Sequence, residues 1–425
     1  MQEIVEVKER AILVGIDWPG SPWPVESSLE ELARLIDTVG AETIAMTTQR
    51  LDAPNPRTFV GSGKAAEIAD MCRAHAADLV VFDDELTPSQ QANLEKIVDR
   101  DVKVIDRTAL ILDIFALHAT TKEGRLQVRL AQNEYLYPRL RGMWAHLASN
   151  RMGGGVGSRF GEGESQLEVD RRMVRKRISS IKRELARLDE IRSVQREGRY
   201  KSGTFKIALA GYTNAGKSSL INRLTDADVL SYDKLFATLD PTTRKLRLPE
   251  GREVTVTDTI GFIRKLPTTL VESFKSTLDE INGADLILHV VDGSSDELAY
   301  QMETVEEVLH QIGAEKIERL TVFNKKDLLE SADAERRLSE THPDAILVSA
   351  QTGEGIDELI ERIAKVAASR DDLLSVVVPY VRGDLVAMAH KRCHIINEAH
   401  EEDGTHMMLY APPDCAHMFA DYMSS

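Results

Sequence analysis

The residues best suited to chemistry lie in one glycine-containing stretch near the middle of the chain, Gly211-Tyr-Thr-Asn-Ala-Gly-Lys-Ser218. An apolar run over residues 205–210 precedes it and a helix-like segment follows, which predicts a buried strand, a tight turn and a helix. Such a turn presents backbone N–H groups and the positive end of a helix dipole to a phosphate. Lys217 would add a charge on the β- and γ-phosphates, and the Ser218 hydroxyl suits Mg²⁺. The stretch therefore predicts a phosphate-binding loop.

A second polar motif follows an alternating run that can form a neighbouring strand. Asp258-Thr-Ile-Gly261 comes directly after residues 254–257. An aspartate at a strand end can hold a Mg²⁺-bound water, and the Gly261 N–H can meet the γ-phosphate. The motif therefore predicts the second half of a nucleoside triphosphate site.

Two later motifs indicate which base the site reads. Asn324-Lys-Lys-Asp327 follows an apolar run, and Asp327 can accept both N–H donors on the Watson–Crick edge of guanine. Ser349 and Ala350 end another run, where a backbone N–H can meet the guanine carbonyl. In this order the motifs resemble those of the translation-factor-related GTPases. The expected GTP-binding residues are Gly211, Asn214, Ala215, Gly216, Lys217, Ser218, Ser219, Asp258, Gly261, Asn324, Lys325, Asp327, Ser349 and Ala350.

The first switch should lie between the phosphate-binding loop and Asp258. Related GTPases carry a Phe-x-Thr-Leu pattern there, and this resemblance assigns Thr238 to Mg²⁺ and the γ-phosphate, with Thr242 and Thr243 as alternatives. The expected metal ligands are Ser218, Thr238 and, through a water, Asp258. Lys217, Thr238 and Gly261 are the expected catalytic residues.

The residue that orients the attacking water is missing from its usual place. Many related GTPases have Gln directly after Asp-x-x-Gly, but this chain has Phe262, which cannot hydrogen-bond to water. Hydrolysis by the isolated chain should therefore be slow. In similar GTPases an asparagine at the position of Asn214 helps to hold K⁺, so either K⁺ or a group supplied by a binding partner could compensate. Asn214 could instead only bond the switch loop.

The elements that position these motifs predict an α/β protein with four parts. They are an N-terminal α/β subdomain over residues 1–120, a helical hairpin over 121–201, a P-loop GTPase domain over 202–370 and a small C-terminal α+β domain with β-α-β order over 371–425. Alternating strands and helices in the first part favour a mostly parallel sheet. There, Gly61-Ser-Gly-Lys64 lacks the first glycine of a phosphate-binding loop and is interpreted as a helix start. Asp83-Asp84-Glu85 could ligate a metal, but a solvated turn or helix start is the favoured interpretation.

The hairpin part is the basic region of an acidic chain. Residues 122–201 carry 19 Lys and Arg against 10 Asp and Glu, whereas the whole chain has a net charge of −16. Helices are predicted over 124–140 and 167–194, the second with a coiled-coil seam at Val174, Ile178, Ile181, Leu185 and Leu188. The glycine-rich loop over 151–163 and the basic helix face suit a phosphate backbone; a solvated helical hairpin and a plain linker are the open alternatives. The expected RNA-binding residues are Arg151, Gly153, Gly154, Gly155, Gly157, Arg159, Arg171, Arg172, Arg175 and Lys176.

Motifs throughout the chain resemble the HflX family. They are Phe59-Val-Gly-Ser-Gly-Lys64, Phe82-Asp-Asp-Glu-Leu-Thr-Pro-Ser-Gln-Gln91, Gly124-Arg-Leu-Gln-Val-Arg-Leu-Ala-Gln132, Arg151-Met-Gly-Gly-Gly-Val-Gly-Ser-Arg159, Ser165-Gln-Leu-Glu-Val-Asp-Arg-Arg172 and Asp258-Thr-Ile-Gly-Phe-Ile-Arg-Lys-Leu-Pro267. The family pattern Gly-Thr-Arg-Gly-Pro-Gly-Glu-Thr is replaced here by Gly157-Ser-Arg-Phe-Gly-Glu-Gly-Glu-Ser165. The resemblance implies a Mg²⁺-dependent GTPase that binds the large ribosomal subunit, reaches its rRNA with the loop and hairpin, and splits stalled ribosomes under stress.

Composition bounds the remaining possibilities. Three scattered cysteines give no disulfide framework, the acidic N-terminal residues argue against a secretory signal, and no apolar run approaches the roughly 20 residues that span a bilayer. We expect a cytoplasmic monomer. Three alternatives stay open: a small-molecule kinase, which Asn324-Lys-Lys-Asp327 disfavours; a GTPase switch that acts on a non-ribosomal protein; and an RNA-binding adaptor whose GTPase is vestigial.

Overall fold

The structure is a computed structural model that describes residues 8–19, 21, 23–98, 101–150, 160–200, 204–225, 235–236, 239–249, 251–267, 270 and 273–424. Contacts divide the chain into two compact units. The first comprises Met1–Arg187 with the short segments Lys234–Leu239 and Lys265–Phe274, and the second comprises Leu188–Asp233, Asp240–Arg264 and Lys275–Ser425. No helix among the described residues is both long and apolar enough to cross a membrane.

The N-terminal part forms a four-stranded sheet with the order β2-β1-β3-β4, in which every pair is parallel. Alternation of short apolar runs with amphipathic helices produces this arrangement, and the predicted parallel α/β subdomain is confirmed. The strands are β1 (Arg10–Asp17), β2 (Glu42–Arg50), β3 (Leu79–Phe82) and β4 (Lys103–Asp106). The helices are α1 (Val25–Thr38), α2 (Ser62–His75), α3 (Pro88–Ile97) and α4 (Arg107–His118).

Gly61-Ser-Gly-Lys64 is a helix start, as the missing first glycine indicates. Gly61 is the N-cap residue of α2. The Lys64 ammonium donates to the Thr47 hydroxyl at 2.9 Å and pairs with Glu67 at 2.7 Å. The lysine is thus held by side chains of its own domain.

In the acidic cluster after β3, Asp83 is buried, Asp84 is half-buried and Glu85 is exposed, so the prediction of a solvated turn or helix start is wrong for Asp83. Asp83, Arg107 and Glu31 are each only 1% exposed. The Arg107 guanidinium lies 2.6 Å from Glu31 and 2.5 Å from Asp83. Arg107 comes from the first turn of α4, 24 residues after Asp83, so local sequence around the acidic cluster gave no sign of the partner.

Two long helices, α5 (Lys122–Asn150) and α6 (Phe160–Tyr200), form the hairpin part. Val174 is buried, and Ile178, Ile181, Leu185 and Leu188 are half-buried, which confirms the predicted seam. Ion pairs between Lys182 and Glu134 and between Lys122 and Glu184 connect the helices at 2.7 and 2.6 Å. Because α6 begins at Phe160, the prediction of a loop continuing to Gly163 is wrong, and residues 151–159 lie outside the described residues.

The GTPase part is built on a six-stranded sheet with the order β10-β9-β8-β5-β7-β6. Only β6 is antiparallel to its neighbour among the described strands. The strands are β5 (Lys206–Gly211), β6 (Thr242–Arg247), β7 (Glu253–Asp258), β8 (Leu286–Asp292), β9 (Glu318–Asn324) and β10 (Ile346–Leu347). The helices are α7 (Lys217–Leu224), α8 (Lys275–Asn282), α9 (Leu298–Gln311), α10 (Ala332–Thr341) and α11 (Ile356–Ala368). Parallel strands place the ends of β5, β7 and β9 at one edge, where α/β sheets bind ligands.

The C-terminal part is an antiparallel three-stranded sheet with the order β11-β13-β12. Its elements are β11 (Asp372–Val378), α12 (Gly383–Arg392), β12 (His394–Glu401), β13 (Gly404–Ala411) and α13 (Pro413–Ala416). The predicted α+β class is confirmed, but the β-α-β order missed β12. This strand lies at the sheet edge with mostly exposed, polar residues, so its sequence lacks the apolar alternation of a half-buried strand.

Candidate nucleotide-binding site

The loop between β5 and α7 has a shape that its two glycines make possible. A Cβ atom on Gly211 would lie 2.1 Å from the Val290 carbonyl oxygen of β8. Gly216 has a φ of +88°, and a Cβ there would lie 2.2 Å from the Asn324 side-chain nitrogen. Side chains are therefore excluded at both positions. Asn214, exposed between them, also has a positive φ of 62°.

Lys217 lies inside this loop. Its ammonium donates to the carbonyl oxygens of Gly211 at 3.0 Å and Tyr212 at 2.8 Å. Burial lowers the pKa of Lys217 to about 8, and the nearby Asp258 carboxylate partly opposes that decrease. A lysine held in this way carries a charge that a phosphate group would stabilise.

The predicted metal ligands that the structure describes lie together. The Ser218 hydroxyl donates to an Asp258 carboxylate oxygen at 2.6 Å. Both are hard oxygen ligands. Ser218 lies in the first turn of α7, which follows β5, and Asp258 ends β7, the neighbour of β5 in which Leu209 pairs with Asp258. The pair fits Mg²⁺.

The first switch is described only in part. Thr238 lies outside the described residues. Its alternatives, Thr242 and Thr243, are both in β6, where the Thr243 hydroxyl lies 2.9 Å from the Thr257 hydroxyl.

Asn324 connects the phosphate-binding loop to the loop after β10. Its side-chain nitrogen donates to the Ala215 carbonyl at 2.9 Å, and its side-chain oxygen accepts from the Ala350 N–H at 3.0 Å. It is only 2% exposed, so these bonds form in a dry environment. Asn324 thereby joins its own motif to Ala215, 109 residues earlier in the sequence, and to Ala350, 26 residues later.

Asp327, the residue predicted to recognise guanine, is exposed, and another side chain of the protein holds its carboxylate. The Ser349 hydroxyl donates to its carboxylate, a contact that the sequence did not predict. Lys325 has a positive φ of 63°, and its ammonium pairs with Asp292 at 2.7 Å at the end of β8. The exposed carboxylate remains open to a base.

The segment after Gly261 is attached to the phosphate-binding loop by backbone hydrogen bonds. The Thr213 N–H donates to the Phe262 carbonyl at 2.7 Å, and the Phe262 N–H donates to the Gly211 carbonyl at 3.1 Å. The Phe262 side chain is fully buried. The position usually held by Gln is therefore part of the core.

Tyr212 and Arg264 strengthen this attachment, and sequence reasoning missed both. The Arg264 backbone N–H and its side-chain Nε donate to the Tyr212 hydroxyl at 2.9 and 3.2 Å. Arg264 is 1% exposed and pairs with Glu297. An arginine between a short apolar run and Lys265 carries no local sign of burial, so the sequence offered no signal for this contact.

The four described members of the predicted RNA-binding set lie on α6. Arg172, Arg175 and Lys176 are exposed. Arg175 donates to the Tyr137 hydroxyl, and the half-buried Arg171 guanidinium lies 5.2 Å from the centre of the Tyr137 ring. The other six, Arg151, Gly153, Gly154, Gly155, Gly157 and Arg159, lie outside the described residues.

Three family models match the chain in succession. They are "GTP-binding GTPase N-terminal" over residues 26–116, "GTP-binding GTPase Middle Region" over 118–199 and "50S ribosome-binding GTPase" over 206–325.

Similar proteins cover almost the whole chain. "GTPase HflX" of Lacrimispora saccharolytica is 44% identical over 99% of this chain and 97% of its own. "GTPase HflX" of Caldanaerobacter subterraneus subsp. tengcongensis is 46% identical over 95% of this chain and 91% of its own. A solved GTP-binding protein from the archaeon Sulfolobus solfataricus, in complex with GDP, is 22% identical over 85% of this chain and 99% of its own, with a TM-score of 0.43.

Proposed function

Because the chain belongs to the HflX family of GTPases, we propose that it binds the large ribosomal subunit in its GTP state and splits or recycles stalled ribosomes under stress. Hydrolysis of GTP is the activity of the family. The ribosomal role is supported by the description "50S ribosome-binding GTPase" of the model that matches residues 206–325. It is supported further by the charge distribution of the hairpin part.

In this proposal the residues around the β5–α7 loop divide the work of binding GTP. Lys217 and the loop N–H groups hold the phosphates, and Gly261 meets the γ-phosphate. Asp327, oriented by Ser349, accepts hydrogen bonds from the guanine N–H groups. The guanine carbonyl binds near Ala350, whose backbone N–H donates to the Asn324 side-chain oxygen in this structure. The remaining predicted contacts, Ser219 and Lys325, flank these groups.

Ser218 and Asp258 would hold Mg²⁺, with Thr238 joining them from the first switch. When bound, the ion neutralises phosphate charge that develops during hydrolysis. Asn214 is exposed on the loop, where its side chain could meet either K⁺ or the first switch.

The single observation that carries the ribosomal part is the exposed basic side of α6. Six residues on it are exposed: Arg172, Arg175, Lys176, Arg177, Lys182 and Arg183. The whole chain has a net charge of −16, so the positive charge of these residues is opposite in sign to that of the chain as a whole. A row of cations on one helix face is suited to the phosphate backbone of rRNA.

Co-sedimentation with purified large ribosomal subunits tests the proposal. The protein is assayed with a non-hydrolysable GTP analogue, with GDP and without nucleotide. Strong binding with the analogue and weak binding with GDP is expected. Nucleotide-independent binding would favour the RNA-binding adaptor, and absence from the pellet in all three conditions would leave a GTPase that acts on another partner.

A pair of matched variants locates the contact. Arg172→Gln, Arg175→Gln and Lys176→Gln together should reduce co-sedimentation at least about tenfold. Arg336→Gln, Arg337→Gln and Arg362→Gln remove the same charge from exposed positions of the second unit and should leave it unchanged. Equal losses in the two variants would contradict a specific role of α6.

A further inference from the structure

Among the described residues, Lys217 is the one side chain assigned so far to the γ-phosphate, and no polar side chain has been assigned to assist hydrolysis there. Phe262 is buried, and its backbone is held by Gly211 and Thr213. Its side chain therefore has no path to the reacting phosphate without breaking both backbone bonds. A polar group that assists hydrolysis from within this unit has to come from another position.

Thr213, in the phosphate-binding loop, has a side-chain oxygen without a hydrogen-bond partner in the part of the chain that the structure describes. Its hydroxyl oxygen is buried and has no hydrogen-bond partner among the described residues. The residue as a whole is 6% exposed. Burying a hydroxyl without a partner is unfavourable, so its retention in the loop indicates a partner that binds later.

The surroundings of Thr213 place it beside the γ-phosphate contacts. A Cβ atom built on Gly261 would lie 2.9 Å from the Thr213 methyl carbon, 3.0 Å from its Cα and 3.1 Å from the Lys217 ammonium nitrogen. The Thr213 methyl carbon, the Thr213 Cα and the Lys217 nitrogen thus surround one point beside Gly261. Rotation about the Thr213 Cα–Cβ bond to another staggered rotamer brings the hydroxyl to the position that the methyl group holds here. Lys217 and the Gly261 N–H are the groups that meet the γ-phosphate in this type of site.

We propose that Thr213 is a further catalytic residue whose hydroxyl donates a hydrogen bond to an oxygen of the γ-phosphoryl group. In hydrolysis the water oxygen bonds to the γ-phosphorus, and the bond to the β–γ bridging oxygen breaks with its electron pair leaving on GDP. The protons of the attacking water pass to the inorganic phosphate and to solvent. Thr213 exchanges no proton in this step and stabilises the transferred group. GDP lacks this group, so the contact distinguishes GTP from GDP.

Three substitutions at Thr213 distinguish the contribution of its hydroxyl group from that of its methyl group. Thr213→Val keeps the shape and removes the hydroxyl, Thr213→Ser keeps the hydroxyl, and Thr213→Ala removes both with the least risk to folding. Single-turnover GTP hydrolysis is measured for each full-length variant. Competition against a fluorescent GDP gives the Kd values of GDP and of a non-hydrolysable GTP analogue.

Thr213→Val and Thr213→Ala should hydrolyse GTP about 100-fold more slowly, which is the usual loss for one such donor. Their Kd for the analogue should rise about tenfold, because a bond to a charged oxygen is lost. Their Kd for GDP should stay within about twofold, and Thr213→Ser should stay within about threefold in rate. Thr225→Val serves as the control, because the Thr225 hydroxyl bonds only locally to the Ile221 carbonyl at the end of α7.

Three results would overturn the assignment. They are a Thr213→Val rate equal to that of the unmodified chain, a Thr213→Ser rate as low as that of Thr213→Val, and a parallel loss of GDP affinity. The first denies a role for the hydroxyl, the second assigns the role to methyl packing, and the third assigns it to loop shape. None of them affects the ribosomal proposal, which is tested by sedimentation.

Discussion

The pKa of the Lys217 ammonium group depends on whether a nucleotide is bound. It is buried against two carbonyl oxygens, and burial lowers its pKa to about 8. A bound nucleotide brings negative phosphates next to it and raises that pKa. Binding and protonation are therefore linked at this one residue.

Nucleotide affinity should weaken as pH rises above about 8. The pKa is higher in the bound state than in the free state, so the favourable contribution is complete below pH 8 and decreases above it. From pH 7 to pH 9 the Kd for GDP should rise about tenfold, and calorimetry in two buffers should show proton uptake at pH 9.

The Lys217→Arg variant is the matched control. Its side chain stays charged across this range, and any titration of the ligand itself is shared with the unmodified chain. Its Kd should be weaker but nearly independent of pH. An equally steep pH dependence in the variant would remove Lys217 as the source.

At the scale of elements, a buried charge network joins helices and a strand of the first unit. Arg107 from α4 is paired with Glu31 of α1 and with Asp83, directly after β3. Although burial alone would raise it, the pKa of Asp83 is held well below its usual range by Arg107 and Lys265. Lys265 also lies 2.7 Å from Asp84. It belongs to the Lys265–Phe274 segment of the same unit.

Arg107→Met should destabilise the first unit by about 3–5 kcal/mol, because two buried carboxylates lose their main partner. Urea unfolding followed by tryptophan fluorescence measures the change, because all three tryptophans, Trp18, Trp23 and Trp144, belong to the first unit. Arg73→Met is the control, since Arg73 and Asp70 form an exposed pair worth at most about 1 kcal/mol. Similar effects of the two substitutions would show that burial adds nothing to the Arg107 pairs.

At the scale of the whole molecule, charge is distributed unevenly along the chain. Residues 122–201 have 19 basic and 10 acidic residues, within a chain of net charge −16. The acidic remainder disfavours non-specific contact with nucleic acid, whereas α6 presents several exposed cations. The seam residues of α6 and the ion pairs between α6 and α5 hold this helix in the hairpin.

Binding to large ribosomal subunits should weaken steeply with salt at a fixed Mg²⁺ concentration. If α6 neutralises about four phosphates, affinity should fall roughly 100-fold between 50 and 200 mM salt. The triple variant at Arg172, Arg175 and Lys176 should reduce the slope of log K against log salt by about one for each residue. A flat salt dependence of the unmodified chain would instead indicate a protein contact on the ribosome.

Local sequence determined much of the nucleotide site and of the fold. The turn chemistry of Gly211 and Gly216, the strand before each polar motif and the seam spacing of α6 are encoded within a few residues of one another. Such signals survive without tertiary context because turn conformation and burial period are local properties. They predicted the parallel sheet of the N-terminal part and the helical hairpin. They also predicted Ser218 and Asp258 as metal ligands, and the structure brings these two side chains together.

Only the tertiary structure decided which polar residues are buried and what they contact. Asp83 was expected in a solvated turn or helix start, and the local sequence gave no prediction for Arg264, yet each is buried against a partner from distant sequence. Ser349 orients Asp327 from 22 residues away, and β12 forms at an edge that its own polar sequence does not require. The physical reason is that the energy of a charge or hydroxyl depends on the dielectric and the partners that packing supplies, and these come from the rest of the chain.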